Sequence, residues 1–210
     1  MLEYTEYTKM LIGLIAIVNP VGSIPIFISL TSNLSTADRD TIPNTVVYSV
    51  FVILVLSLVL GQWILDFFGI TVGSFRVAAG ILILLMAISM MHAKTSEAKR
   101  TEEEAEESEK KDSIAVVPLA IPLLAGPGAI STTILYAHTG SGLVHYCLVG
   151  LVVVAVSAIL FITLKSVPLI SKYLSQTGVN IFTRIMGLIL GAIAVEFIAN
   201  GIKGLFPSLV

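Results

Sequence analysis

Long apolar runs dominate this sequence and constrain its fold more than any other feature. A helix of about 20 apolar residues crosses a bilayer, and runs of that length recur along the chain. We predict six spanning helices, at about 8–30, 43–65, 72–92, 114–136, 143–164 and 182–204. Hydrophobic residues make up 56% of the chain and charged residues 12%, a balance far from that of soluble domains. The expected fold class is an all-α, polytopic membrane protein.

A charge-dense segment, residues 94–113, separates the third predicted span from the fourth. Its sequence, KTSEAKRTEEEAEESEKKDS, is typical of a solvated linker. The linker divides the chain into a first three-helix unit, residues 1–93, and a second three-helix unit, residues 114–210. Because three is an odd number, homologous units would lie inverted in the membrane relative to each other.

Lysine and arginine are unequally divided between the two sides of the predicted spans. The side of the linker holds Arg39, Lys94, Lys99, Arg100, Lys110, Lys111, Lys165, Lys172 and Arg184. The other side holds Lys9, Arg76 and Lys203. Basic residues are enriched in cytoplasmic loops. We therefore predict a cytoplasmic linker, with both termini outside.

An internal repeat appears when the sequence is aligned with itself at an offset of 107 residues. FRVAAGILILLMAI (75–88) then falls on FTRIMGLILGAIAV (182–195), which aligns Gly80 with Gly187. The same offset aligns Pro20 with Pro127, in VNPVGSIP (18–25) and LAGPGAIS (124–131). The aligned glycines predict close helix contacts. We expect two inverted three-helix repeats, with discontinuous first and fourth helices.

Proline and glycine thus interrupt two predicted spans at equivalent positions. In hydrocarbon, an unpaired backbone group costs several kcal/mol, so such breaks mark either a simple kink or a protein-lined site. Two equivalent breaks favour a site. Amides at the start of each half-helix suit a carboxylate, whereas free carbonyls before each break, near Val18 and Leu124, suit an ammonium group.

Neutral side chains surround both breaks, and neither break contains a charged residue. The candidate substrate-binding residues of the first break are Asn19, Pro20, Gly22, Ser23 and Pro25. Those of the second are Gly126, Pro127, Gly128, Ser131 and Thr132, with Thr133 adjoining. A ligand with net charge would lack an ionic partner here, so a small neutral zwitterion is the expected ligand.

The two break motifs, NPVGSIPIFISLT (19–31) and PLAIPLLAGPGAISTTI (118–134), carry a resemblance to a known family. With the six spans and the charged linker, they resemble the MarC-like family of small neutral amino acid transporters. The resemblance implies that glycine and alanine, with serine as a further candidate, cross the inner membrane after binding between the discontinuous helices. It places Asn19, Pro20, Gly22 and Pro25 on one side of the substrate and Gly126, Pro127 and Gly128 on the other.

Glu196 is an acid inside a predicted span, with Asn200 one helical turn further on. Ionisable groups in hydrocarbon usually face the bundle interior or a water path. The pair is therefore the candidate for coupling transport to H⁺ or Na⁺. The alternative is that Glu196 lies near the outer surface and is simply hydrated.

The sequence is also compatible with functions other than amino acid transport. A channel could also use opposed half-helices, and an exporter of other small metabolites is a further alternative. We expect no enzyme, cofactor or metal site, because no nucleophile or ligand constellation stands out, and no nucleic-acid partner, because the net charge is near zero. The histidines, His92, His138 and His145, are expected at the membrane interface. The remaining expected partner is membrane lipid.

Overall fold

The computed structural model describes residues 3–31, 34–92, 124–170 and 176–206. The predicted linker and the first part of the predicted fourth span, residues 114–123, lie outside these ranges. The described residues fold into α-helices joined by short connections. The helices are α1 (Tyr4–Val18), α2 (Ile24–Leu30), α3 (Thr36–Phe67), α4 (Val72–Met91), α5 (Pro127–His138), α6 (Leu143–Lys165), α7 (Val167–Ile170) and α8 (Gln176–Leu205).

Four described helices are long and apolar enough to cross a membrane. The spanning segments are Asp38–Phe67, Val72–Met91, Leu143–Lys165 and Asn180–Leu205. They confirm the helices predicted at 43–65, 72–92, 143–164 and 182–204. The predicted first span contains two shorter helices, α1 and α2, on either side of a break.

Local chemistry explains several helix starts. The hydroxyl oxygen of Ser35 accepts a hydrogen bond from the Asp38 amide at 3.2 Å and caps α3. At α4, the hydroxyl oxygen of Thr71 accepts from the Ser74 amide at 3.2 Å. Such caps satisfy amides that have no carbonyl partner within the helix. At α5, Pro127 occupies the first turn, where a missing N–H costs least.

Helices α4 and α8 pack along each other in antiparallel directions. A Cβ added to Gly80 would lie 2.9 Å from the carbonyl oxygen of Ala194, and one added to Gly187 would lie 3.0 Å from that of Ala87. The backbones therefore approach closely at both glycines, as the aligned pair predicts. Ile83 lies between these two contacts and is completely buried.

The other helices form the core of the bundle. Helix α1 contacts α5 and α6, while α3 contacts α5 and α6 as well. Helix α4 contacts α5, and α8 contacts α1. Their buried faces carry Leu, Ile, Val and Ala side chains, with Met10, Leu14, Leu54 and Val153 completely buried. This arrangement brings the end of α1 beside the start of α5.

Candidate functional site

The first break spans residues 19–23, where α1 ends and α2 has not yet begun. Asn19 adopts a left-handed conformation, with φ 48° and ψ 63°. Asparagine tolerates this conformation better than most residues with a side chain. The Asn19 side-chain oxygen accepts a hydrogen bond from the Gly22 amide at 3.2 Å. Asn19 thus ends α1 and shapes the turn that follows it.

The last carbonyls of α1 lose their usual donors at this break. Proline has no N–H, so Pro20 cannot donate to the carbonyl of Ala16, four residues earlier. The Gly22 amide donates to Asn19 instead of to the carbonyl of Val18. These carbonyls carry the negative end of the helix dipole. The end of α1 can therefore attract a positively charged group.

Gly22 fits the turn only because it has no side chain. A Cβ at Gly22 would lie 2.0 Å from the side-chain nitrogen of Asn19. A side chain at that position would displace the Asn19 amide from its hydrogen bond. Ser23, next in the chain, is buried and donates its hydroxyl to the carbonyl of Pro20 at 2.7 Å.

The second break precedes α5, whose N-cap residue is Gly126. The amides of Ala129 and Ile130 donate to the Gly126 carbonyl at 3.0 and 3.1 Å. The first turn of α5 presents the positive end of its dipole to this break, and such helix starts favour anions. The start of α5 can therefore attract a carboxylate.

Thr132 differs from the other buried hydroxyl residues in the described chain. Ser131 donates to the carbonyl of Pro127, and Thr133 donates to that of Ala129 at 2.9 Å. The hydroxyl oxygen of Thr132 has no hydrogen-bond partner, although the residue is only 1% exposed. An unpaired buried polar group costs about 1–3 kcal/mol. This hydroxyl, unlike its bonded neighbours, is able to hydrogen-bond to a water or to a ligand group.

The two breaks adjoin each other. A Cβ added to Gly128 would lie 3.1 Å from Ile17 and 3.2 Å from Ile83. Ile17 is the penultimate residue of α1, so the end of α1 faces the first turn of α5. A cavity of about 160 Å³ lies at this meeting point, and it also contacts α4. Its lining residues are Ile17, Leu82, Met86, Leu124, Gly126, Pro127, Gly128 and Ala129.

The predicted substrate residues occupy different parts of this region. Gly126, Pro127 and Gly128 line the cavity. Asn19, Pro20, Gly22 and Ser23 form the adjoining turn, while Pro25 lies in the first turn of α2. Ser131 and Thr132 lie further along α5, and both are buried.

Five lining residues are absent from the predicted substrate set, namely Ile17, Leu82, Met86, Leu124 and Ala129. Apolar residues of this kind fill every predicted span, so composition does not distinguish them. Ile17 has one sequence signal, its position two residues before the first break.

Glu196 and Asn200 contact each other on α8. The Asn200 side-chain nitrogen donates to the Glu196 carboxylate at 2.8 Å, and Glu196 is exposed in the isolated chain. Glu196 lies nine residues before the end of α8 at Leu205. Their role in coupling stays a prediction.

The sequence matches one known family along almost its whole length. The model described as "MarC family integral membrane protein" matches residues 4–206. The chain belongs to the MarC family. With four described helices long enough to cross a membrane, this MarC-family chain is an integral membrane protein.

Relatives of this MarC-family protein occur in bacteria and archaea. UPF0056 membrane protein YhcE of Escherichia coli is 46% identical, with 99% of this chain and 97% of the relative aligned. UPF0056 membrane protein YvbG of Bacillus subtilis is 39% identical over 94% of each chain. UPF0056 membrane protein MJ1677 of Methanocaldococcus jannaschii is 40% identical, over 91% of this chain and 93% of the relative. No solved structure matches the chain.

Asn19 provides a test of the first break. We expect Asn19→Ala to lower the free energy of unfolding by about 2 kcal/mol, because it strains the left-handed backbone and removes the bond to Gly22. Asn19→Gly removes only the bond, since glycine adopts this conformation freely, and should cost about 1 kcal/mol. Thermal unfolding in detergent compares the two variants. Equal destabilisation would contradict a role for the left-handed backbone.

Proposed function

We propose that this protein is a secondary transporter of small neutral amino acids. Glycine and alanine, with serine as a further candidate, are the proposed substrates. The single observation that carries the proposal is the adjacency of the two helix breaks, since the Ile17 side chain at the end of α1 lies against Gly128 in the first turn of α5. In transporters with inverted repeats, discontinuous helices of this kind form the substrate site.

The proposed architecture is a six-span bundle of two inverted three-helix repeats. Two pairs of helices that the 107-residue offset relates contact each other, namely α3 with α6 and α4 with α8. Contacts between related helices support a twofold relation between the halves.

The glycine contacts between α4 and α8 support the same relation at the level of residues. The offset carries Gly80 onto Gly187 and Ala87 onto Ala194. The contact of Gly80 with the Ala194 carbonyl is therefore equivalent, under this offset, to the contact of Gly187 with the Ala87 carbonyl. Ile83, at the centre of this pair of contacts, is carried onto Leu190, and both are completely buried.

The substrate is held by complementary backbone charges at the breaks. Its ammonium group binds the carbonyls of Ala16 and Val18, which lack their helical donors. Its carboxylate binds at the start of α5, through the Gly128 amide and the positive end of the helix dipole. A zwitterion brings both charges at once and needs no charged side chain.

The cavity accounts for the small size of the proposed substrates. Pockets for drug-sized ligands are typically about 300–1,000 Å³, whereas this cavity is about 160 Å³. Its walls at Ile17, Leu82 and Met86 are apolar, so they suit a hydrogen atom or a methyl group. Side chains of about this size fit such walls, while bulky or charged side chains do not.

Transport then follows from alternating access around the breaks. One side of the site closes on the substrate and the other opens, as one group of helices rocks against the rest. Glu196 and Asn200 remain the candidates for exchanging H⁺ or Na⁺ during this cycle. The proposed location is the inner or cell membrane, with both termini outside and the linker in the cytoplasm. No enzymatic step is part of this function.

Thr132 offers a matched test of the proposal. We expect Thr132→Val to weaken glycine binding about tenfold, because it removes the free hydroxyl while conserving shape. Thr133→Val is the control, since the Thr133 hydroxyl is already bonded to Ala129 and faces no ligand in this account. Glycine exchange by purified protein in liposomes, measured over a range of glycine concentrations, compares them. Equal weakening of glycine binding by both substitutions would contradict a role for the Thr132 hydroxyl in the site.

A further inference from the structure

His145 is completely buried in the first turn of α6, and both of its ring nitrogens are paired. The Nδ1 atom lies 2.7 Å from the hydroxyl oxygen of Tyr7. The Nε2 atom lies 3.0 Å from the carbonyl oxygen of Tyr136. The position near a span end agrees with the sequence prediction, but the complete burial does not, because protein surrounds this ring. The proposed transport site does not use this histidine.

The partners of His145 define its protonation state in this conformation. A carbonyl oxygen only accepts hydrogen bonds, so Nε2 carries a hydrogen and donates to Tyr136. In the neutral ring, Nδ1 then accepts from the Tyr7 hydroxyl. A proton added to Nδ1 would reverse that bond and place a charge in a site removed from water. Burial of an unpaired charge is costly, so protonation opposes this arrangement.

The three groups belong to different parts of the proposed transporter. Tyr7 lies on α1 of the first unit, whereas Tyr136 lies in the last turn of α5 and His145 in the first turn of α6, both in the second unit. Their hydrogen bonds therefore join the two units at one end of the bundle. That end also holds the start of α1, and in the proposed orientation it faces the outside.

We infer that Tyr7, His145 and the Tyr136 carbonyl form a latch that closes the outer end of the transporter and opens when His145 is protonated. The bonds must separate whenever α1 moves away from α5 and α6 at this end. Because neutral His145 holds the latch and charged His145 disfavours it, acidic medium shifts the population towards the open state. The latch rests on the proposed alternating access, but it can be tested without any substrate.

Among the described residues, no other ionisable group at this end places a negative charge beside His145 through a hydrogen bond. The groups on the packed elements are Glu3 at the N-cap of α1, Tyr4, Glu6 and Lys9 on α1, Asp66 on α3, Arg76 on α4, Tyr136 and His138 on α5, and Tyr146 and Cys147 on α6. Glu6 is paired with Lys9 at 2.6 Å, and Glu3 accepts from Thr5 at 3.3 Å. In the described part of the chain, no carboxylate hydrogen-bonds to His145. A protonated ring would thus gain stabilisation by exposure to water.

A buried cysteine near the latch would report its opening. Met10 is completely buried on α1, three residues from Tyr7. Met10→Cys in a Cys147→Ser background would be labelled with a maleimide in purified protein at about pH 7.5 and about pH 5.5. Ser141→Cys, at an exposed position, gives the reference rate, so the ratio removes the intrinsic effect of pH on thiols.

Three backgrounds give distinct expected results for this ratio. With His145 and Tyr7 intact, the ratio should rise about tenfold on acidification. With His145→Gln, whose amide stays neutral, it should not change with pH. With Tyr7→Phe, which removes one hydrogen bond, it should be raised about five- to tenfold already at the higher pH. Tyr7→Phe retains the ring, and thus tests the latch even where His145→Gln does not fold.

Two results of the pH comparison would overturn the latch. One is a ratio that does not change with pH in the parent protein, and the other is a rise of the same size in His145→Gln. Closure without a role for Tyr7 would appear as an unchanged ratio in Tyr7→Phe, which also contradicts the inference. Loss of glycine exchange alone would instead concern the proposed function, because this labelling involves no substrate.

Discussion

Gly80→Ala should lower the free energy of unfolding by about 3 kcal/mol, because overpacking a tight contact typically costs about 1–3 kcal/mol. The added Cβ would lie 2.9 Å from the Ala194 carbonyl oxygen and 3.0 Å from the Ile198 amide nitrogen. Both atoms belong to the backbone of α8, so relief requires the two helices to separate. Thermal or denaturant unfolding in detergent measures the loss.

The matched control for this substitution is Gly191→Ala on α8. A Cβ there would meet only the Cβ of Ala87, at an ordinary 3.9 Å. Alanine also favours helices over glycine by about 1 kcal/mol, so the control should be neutral or slightly stabilising. Gly187→Ala should resemble Gly80→Ala, because its Cβ would lie 3.0 Å from the Ala87 carbonyl oxygen. Equal stability of Gly80→Ala and Gly191→Ala would contradict the close packing of α4 on α8.

Gly128→Val should reduce glycine exchange about tenfold to a hundredfold while the protein remains folded. Its Cβ would already lie 3.1 Å from Ile17 and 3.2 Å from Ile83, and two further methyl groups would extend into the space around the second break. Overpacking costs about 1–3 kcal/mol. If this cost falls on the substrate-bound state, it corresponds to about a tenfold to hundredfold loss of exchange. Exchange in liposomes, normalised to the amount of folded protein, gives the effect.

Gly13→Val provides the control for Gly128→Val. Both positions are helical glycines, but nothing lies within 4 Å of a Cβ at Gly13. We expect Gly13→Val to retain exchange. Both substitutions put valine in a helix, but only the one at Gly128 adds atoms next to the break. Equal losses in both variants would indicate a general effect of valine rather than closure of the site.

The sequence predicts the helices of this protein well because length and hydropathy determine them. The predicted spans at 72–92 and 143–164 agree closely with α4 (Val72–Met91) and α6 (Leu143–Lys165). The break in the first span was also predictable, since Pro20 removes a backbone donor wherever it lies. The aligned glycines predict close helix contacts, but they do not predict which residues they meet. Those partners depend on how α4 and α8 are rotated about their axes.

Side-chain pairing in the site could not be predicted in the same way. Ser131, Thr132 and Thr133 are similar in sequence, yet only Thr132 lacks a hydrogen bond in the described structure. The difference depends on rotamers and on the neighbours that α5 meets. His145 shows the same limit, because a histidine near a span end can face lipid headgroups or, as here, a tyrosine from another helix.

Counterflow of labelled glycine tests the central claim most directly. Purified protein in liposomes preloaded with unlabelled glycine should accumulate the label transiently, whereas liposomes preloaded with leucine should not, because the cavity suits only small side chains. Folded protein that gives no counterflow with glycine, alanine or serine would contradict a binding site for small neutral amino acids between the two breaks.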